Sequence, residues 1–330
     1  MDEHSAQPPS LTQNPIQRLK RILFSSLVSA GFGFAVWIAF DYFELANLMT
    51  YTFLIWVPLS IGTIAVHLAG FKSFFSWIFL PLLSIFLLFF IAGITGTDGI
   101  ICMVILMAPM LGSSLVGGLL MAGLNKLISK DRLSVFLIAV FPLVSGPVES
   151  TIDGSYMSDT VITTIEVNAE KEEVWENITR VENIREEELP WTFSHTIGIP
   201  TPRHSVLDRE EVGGIRDIRW NGGIRFEEHI TEWEEGKGFS YRFVLDSNNL
   251  PLYALDKHIR VGGQYFDVLD GSYELQSLPG NRTRITLCCR YRLTTRFNWY
   301  ARWWVQLFLN DFQRSILTVV KGRVENPTVS

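Results

Sequence analysis

The sequence predicts an α-helical membrane bundle followed by an α+β domain, in which a curved antiparallel sheet wraps a long C-terminal helix. Three observations predict it. Charge-free apolar runs crowd the first 148 residues, alternating strand patterns succeed one another from residue 161, and an amphipathic helix closes the chain. The charges divide the same way: residues 1–159 hold 7 of the 28 Lys and Arg and 9 of the 34 Asp and Glu. Residues 160–330 hold the remaining 21 and 25, a net 21 − 25 = −4. That mildly acidic balance argues against a nucleic-acid partner, which needs a clustered basic surface.

Residues 1–17 are polar and contain proline, and read as a disordered tail. The membrane domain is placed at 18–148. Its charge-free runs are Ile22–Phe40, Leu45–Phe71, Ser73–Thr97 and Gly99–Asn125, each long enough for a bilayer that takes about 20 apolar residues. A fifth run, Leu133–Val148, has 16 residues and contains Pro142 and Pro147, so it suits a short span or an interfacial segment. Arg18, Lys20 and Arg21, then Lys72, then Lys126, Lys130 and Arg132 alternate with loops carrying Asp41, Glu44 and Asp98. Basic loops stay cytoplasmic. Five spans would put the C-terminal domain outside the cytoplasm and four inside it, in a plasma (inner) membrane. No charge lies inside a span, which favours an anchor over a transporter. Ser113 with Gly117, and Ser114 with Gly118, give the small-xxx-small spacing of closely packed helices.

Ser145 to Thr160 contains Pro, Gly, Ser and acids, and residues 149–160 read as a linker into the domain at 161–324. Val161–Val167 alternates as a strand. Asn168 is placed to cap a helix carrying Val174, Trp175, Ile178 and Val181, and Arg185–Glu188 to end a second short helix. Trp191–Leu207 reads as irregular. Strands follow at Gly214–Trp220 and Arg225–Trp233, joined by Asn221-Gly222-Gly223, then at Phe239–Leu245, Gly263–Val268, Gly271–Leu278 and Arg284–Leu293. The closing helix, Asn298–Val324, carries Tyr300, Trp304, Phe308, Phe312, Ile316 and Val320 at four-residue steps, widened by Trp303, Leu307, Leu317 and Val319. Arg302, Gln306, Asp311 and Gln313 fall outside that stripe. Residues 325–330 read as a tail.

Ile165-Glu-Val-Asn-Ala-Glu-Lys-Glu-Glu-Val-Trp175, Glu211-Val-Gly-Gly-Ile-Arg216, Phe226-Glu-Glu-His-Ile-Thr-Glu-Trp233 and Gly271-Ser-Tyr-Glu-Leu275, with the closing helix, resemble the START/Bet v 1-like (SRPBCC, polyketide cyclase/dehydrase-type) superfamily and its helix-grip fold. The resemblance covers about 160–324 and does not extend to the membrane half. It implies a mostly apolar cavity between sheet and helix and a lipid-like or other apolar small molecule as partner, with no cofactor. It carries over no catalytic residue. A cyclase- or dehydratase-like enzyme and a regulatory protein-interaction module are the alternatives.

Within such a cavity, Trp191, Trp304 and Phe308 are the expected lining, and Tyr241 and Tyr265 the polar groups that orient a ligand. His229 with Glu228 or Glu227 is the candidate acid–base pair, because a carboxylate beside a histidine tunes it for proton transfer near neutrality. No histidine or cysteine spacing predicts a metal site.

Overall fold

The structure, a computed structural model, describes residues 15–43, 50–127, 132–244 and 262–326. Most of the expected N-terminal tail, residue 245 at the end of a predicted strand, and the end of the closing tail lie outside the described residues. The chain divides into one unit of residues 1–95 and 106–152 and another of residues 96–105 and 153–330.

The first unit is built from α1 (Pro15–Tyr42), α2 (Val57–Ala69, entered through a π turn Thr52–Trp56), α3 (Phe74–Thr95), α4 (Ile100–Leu127) from Leu106 on, and α5 (Arg132–Ser150). All five, with the π turn counted into the second, are long and apolar enough to cross a membrane. The fifth is a full helix despite Pro142 and Pro147. Pro142 has no N–H for the carbonyl of Ile138, and Ser60 Oγ lies 2.7 Å from that oxygen and supplies the missing donor. The same helix runs antiparallel along the second. Glu149 accepts the amides of Tyr51 (2.8 Å) and Thr52 (2.7 Å), Ser145 meets Thr52 (3.0 Å), and Phe141 meets Trp56 (ring centroids 4.7 Å). Val135 packs against the cluster of Val66, Met121 and Ala122 at the far end. A carboxylate on the first free amides of a helix satisfies donors that would otherwise be orphaned.

The small residues of α4 are used inside the chain. A Cβ on Gly117 would lie 2.0 Å from the Leu59 carbonyl oxygen, and one on Gly118 would lie 2.8 Å from that of Trp77. On α2, a Cβ on Gly62 would lie 1.9 Å from the Ser114 carbonyl oxygen. Backbones touch here because nothing larger than hydrogen separates them. Ser29 donates to or accepts from Ser84 at 2.8 Å between α1 and α3, where both hydroxyls are fully buried.

The second unit holds β1 (Ser155–Val167), α6 (Lys171–Thr179), β2 (Arg180–Val181), α7 (Phe193–Thr196), β3 (Pro202–Leu207), β4 (Ile215–Trp220), β5 (Arg225–Glu234), β6 (Gly238–Val244), β7 (Phe266–Leu278), β8 (Arg282–Thr295) and α8 (Asn298–Glu325). The eight strands form one antiparallel sheet in the order β1-β8-β7-β6-β5-β4-β3-β2. The C-terminal half of α8, with Ile316, Leu317, Val319, Val320 and Val324, buries against Val174, Trp175 and Ile178 of α6 and the inward row Leu275, Ile285 and Leu287 of the sheet. This is a helix-grip fold.

Several local expectations are corrected. The first strand starts at Ser155, inside the stretch read as linker, because it pairs with β8 from Ser155↔Thr295 to Val167↔Thr283. Gly263–Val268 and Gly271–Leu278 are not two strands: β7 runs through, with a bulge between Val268 and Asp270 that absorbs the extra residue. Pro202–Leu207 is a strand rather than an irregular segment, bulged between Pro202 and His204, and the two-residue β2 closes the sheet beside it. Asn168 does not cap α6; its main-chain N–H and side-chain amide both donate to Glu325 at 2.8 Å, tying the end of β1 to the end of α8. Gln313, placed outside the apolar stripe, is buried: it accepts from Thr163 Oγ1 (2.6 Å) and donates to the Val161 carbonyl (3.2 Å). Trp303, placed within the stripe, is 58 % exposed.

Candidate functional site

The site is the concave face of the sheet opposite α8. Strand alternation decides which side chains reach it. From β4 come Arg216, Ile218 and Trp220, from β5 Phe226, Glu228 and Ile230, and from β6 Phe239, Tyr241 and Phe243. Deep in the grip the space is filled by rings. Trp175 meets Trp233 at 4.9 Å, Phe239 stacks on Tyr273 at 5.1 Å, and Tyr241 meets Phe243 edge-on at 5.3 Å between centroids. Towards the other end the aromatic line continues through Phe243–Phe226 (5.9 Å), Phe226–Trp220 (5.6 Å) and Trp220–Phe312 of α8 (4.8 Å). Here Trp220, Phe226, Phe243, Phe266, Leu309 and Phe312 are only half-buried.

The floor carries charge. Arg216 and Glu228, both buried, pair at 3.0 Å, and Arg216 also donates to the Ile178 carbonyl at 2.7 Å. The guanidinium lies 5.6 Å from the Phe239 ring centroid and 5.3 Å from that of Tyr273. Burial works against the arginine's charge, but Glu228, Tyr273 and Tyr241 more than offset it and hold its pKa above the ordinary value. Burial pushes the Glu228 carboxyl up, against the pull of Arg216. Burial likewise raises the phenols of Tyr241 and Tyr273.

Tyr241 lies flat on the sheet because β7 offers Gly271 beneath it. A Cβ there would sit 2.6 Å from the tyrosine ring and 2.9 Å from the Cys288 carbonyl oxygen. Gly271→Ala is expected to cost about 1–3 kcal/mol of domain stability, the usual range for overpacking. The check is the thermal unfolding midpoint followed by near-ultraviolet circular dichroism.

Beyond the pair Arg242↔Asp270, β6 and β7 part. A crevice of about 430 Å³ opens there, lined by Phe243 and Val268 and rimmed by Arg242, Asp267, Asp270 and Arg290. Arg290 pairs with Asp270, and Arg292 approaches Asp267 at 3.7 Å.

The residues singled out in the sequence are not brought together. Tyr241 sits in the buried ring stack, and Tyr265, half-buried just before β7, has its phenol pKa raised by burial. Trp304 is buried against Phe308 (5.6 Å) and Phe193 (6.4 Å). Trp191 is 81 % exposed, and Phe193 takes the inward place beside Trp304. Glu228 points into the grip, whereas His229, its neighbour, faces outward and meets Glu227 at 2.7 Å on the solvated side. Sequence reasoning missed Arg216 and Tyr273. The hairpin turn held the signal for the first, because counting back from Asn221-Gly222-Gly223 sets Arg216 opposite Glu228.

Set beside known proteins, the C-terminal half is similar to several solved structures. Truncated norcoclaurine synthase from Thalictrum flavum shares 10 % identity over 52 % of this chain and 96 % of its own, with a TM-score of 0.34. The Zhui aromatase/cyclase from Streptomyces sp. R1128 shares 14 % over 52 % and 99 %, with a TM-score of 0.32. The Aha1 dimer from Colwellia psychrerythraea shares 14 % over 52 % and 98 %, with a TM-score of 0.28. These likenesses concern the fold alone, and the N-terminal half is outside them. No family model matches the chain, and no curated protein does.

Proposed function

We propose that the C-terminal domain binds a small apolar or amphipathic molecule, lipid-like in character, between the sheet and α8. One observation carries this reading: Trp220, Phe226, Phe243, Phe266 and Phe312 face the concave side yet stay half-exposed. Apolar rings turned inward and left partly open are surface that a ligand would cover. The crevice between β6 and β7 is the entry route. Binding rather than acid–base catalysis is favoured because His229 and Glu228 lie on opposite faces of β5.

The test is native mass spectrometry of the full chain, released from nanodiscs made of one deuterated phospholipid. A retained molecule of natural isotopic mass is expected. Trp220→Glu, which puts a charge on the half-open rings, should reduce its occupancy at least about tenfold. His229→Ala should leave both occupancy and stability within about 0.5 kcal/mol of wild type, as for other surface changes. Retention by wild type and Trp220→Glu alike would sink the reading.

For the membrane half, the reading is five crossings. Its support is the antiparallel ladder from Val135, packed against the cluster of Val66, Met121 and Ala122, to Glu149 on Thr52, which runs the length of α2. Five crossings place the C-terminal domain on the side of Asp41 and Asp98, opposite Lys72, and so outside the cytoplasm by the loop-charge rule. In a variant with Cys102, Cys288 and Cys289 replaced by serine, Thr151→Cys should react with a membrane-impermeant maleimide added to intact cells, and Lys72→Cys should not. The reverse pattern would overturn this topology.

A further inference from the structure

Buried polar atoms in folded proteins nearly always find a partner, so each one that lacks one requires a reason. In the second unit Trp175 Nε1, Arg216 Nε and Trp304 Nε1 are such atoms, and three more belong to β3, β4 and the residue before β3. Ser205, 5 % exposed on β3, has no partner for its hydroxyl. The buried Trp220 Nε1 on β4 and the Thr201 hydroxyl just before β3 also have none. The strand register brings them to neighbouring strands: Ser205 faces Ile218 and Pro202 faces Trp220, while the Thr201 carbonyl accepts the Asn221 amide at 2.8 Å. Ile218 and Trp220 are on the concave face, and Trp220 stacks towards Phe312 of α8 and Phe226 of β5. A short polar strip is thus set into the otherwise aromatic, half-open end of the grip.

We propose that this strip, Thr201, Ser205 and Trp220, is the subsite that orients the ligand, and that it takes neutral oxygen acceptors: a hydroxyl, ester or ether group on an otherwise apolar molecule. The proposal rests on the binding reading above and deepens it. The chemistry follows from the groups present. An indole N–H is a donor only, and a serine or threonine hydroxyl donates as readily as it accepts, so the strip asks for oxygen. Among the described residues, the inward-facing cation Arg216 is neutralised by Glu228 at 3.0 Å, although its Nε has no partner. A carboxylate or phosphate laid against the strip would be desolvated without a counter-charge, which is costly. A bare hydrocarbon would cover the rings and leave the three polar groups orphaned, forfeiting selectivity of the kind a site built for hydrogen bonding provides.

Two probes of equal chain length test this on the full chain in nanodiscs: 1-monooleoylglycerol and 1-octadecene. The readouts are the affinity of each and the indole ¹H–¹⁵N resonance of Trp220, assigned by its loss in Trp220→Phe. Monooleoylglycerol should bind more tightly than octadecene and move that resonance downfield. Ser205→Ala, which removes only the hydroxyl, should weaken monooleoylglycerol about tenfold, as for one lost hydrogen bond, and leave octadecene unchanged. If Ser205→Ala affects both probes equally or neither, the strip does not recognise the ligand and the proposal is overturned while the binding reading stands. An indole resonance that saturating monooleoylglycerol does not move overturns it too, with the strip holding only water. If neither probe binds, the binding reading itself falls and takes the proposal with it.

Discussion

Replacing Gly62 with valine is expected to break the helical half of the protein. The new Cβ would begin 1.9 Å from the carbonyl oxygen of Ser114 and 3.0 Å from the amide nitrogen of Gly118. Both obstacles are backbone, so no side chain can swing away, and α2 and α4 must separate. Separation also strains the contact at Gly117, where α4 touches the Leu59 carbonyl, and the bond from Thr63 Oγ1 to the Gly117 carbonyl at 3.2 Å. A loss of about 3 kcal/mol or more follows, at the upper end for overpacked interiors. Gly112→Val and Gly123→Val are the controls: a Cβ at either meets nothing within 4 Å. Both should stay within about 0.5 kcal/mol of wild type. Fluorescence-detected size exclusion of the detergent-solubilised chain, after a series of heating steps, separates the cases. Equal behaviour of all three variants would mean that the α2–α4 approach does not hold the bundle.

The second large effect is in the floor of the grip. Arg216→Met leaves Glu228 buried without its partner and is expected to cost about 3–5 kcal/mol, the range for breaking one half of a buried ion pair. Arg216→Met combined with Glu228→Leu removes both charges. It should recover most of that loss, since well-packed apolar residues often replace a buried pair at little cost. The comparison is the thermal unfolding midpoint of the single and double variants at neutral pH. Acidification should narrow the gap for the single variant. Burial raises the Glu228 carboxyl pKa in the folded chain, and removing Arg216 removes the group that pulls it back. The unpaired carboxylate therefore costs most above that raised value and least once it is protonated. A double variant as unstable as the single one would show that the pair supports specific packing as well as charge balance.

How far the sequence foretells this molecule varies by element. The step-of-four row on α8 puts Ile316 and Val320 in the core, because a helix gripped by a sheet must bury its apolar face, and Trp304 is buried too, but among Phe193, Ile197 and Ile199 rather than on the sheet. Gln313 escaped because periodicity sorts side chains by polarity, and a buried amide with two partners on β1 looks the same as an exposed one. Trp303 erred in the opposite direction: a large ring next to the stripe, but turned out. Strand β3 hides behind Pro202, which is tolerated at the first position of a strand and beside a bulge. The buried charge pair was missed for another reason. Alternation along β5 already parts His229 from Glu228, but the partner of Glu228 lies on another strand: Arg216 meets it across the hairpin. The unpartnered groups of Thr201, Ser205 and Trp220 had no sequence signal, since want of a partner is a property of three dimensions.

The pairing of β1 with β8 also constrains the order of events during synthesis. The strand that leaves the ribosome first within the domain pairs with the last strand of the sheet, and α8, which packs on both, comes later still. Contacts so distant along the chain form slowly and only once both partners exist. The sheet therefore cannot close until β8 has been made. If the domain crosses the bilayer, it does so as an open polypeptide, delivered behind the α5 helix, and acquires its shape on the far side. Truncation a few residues short of α8 would then leave the membrane helices inserted and the sheet without the element it is folded around.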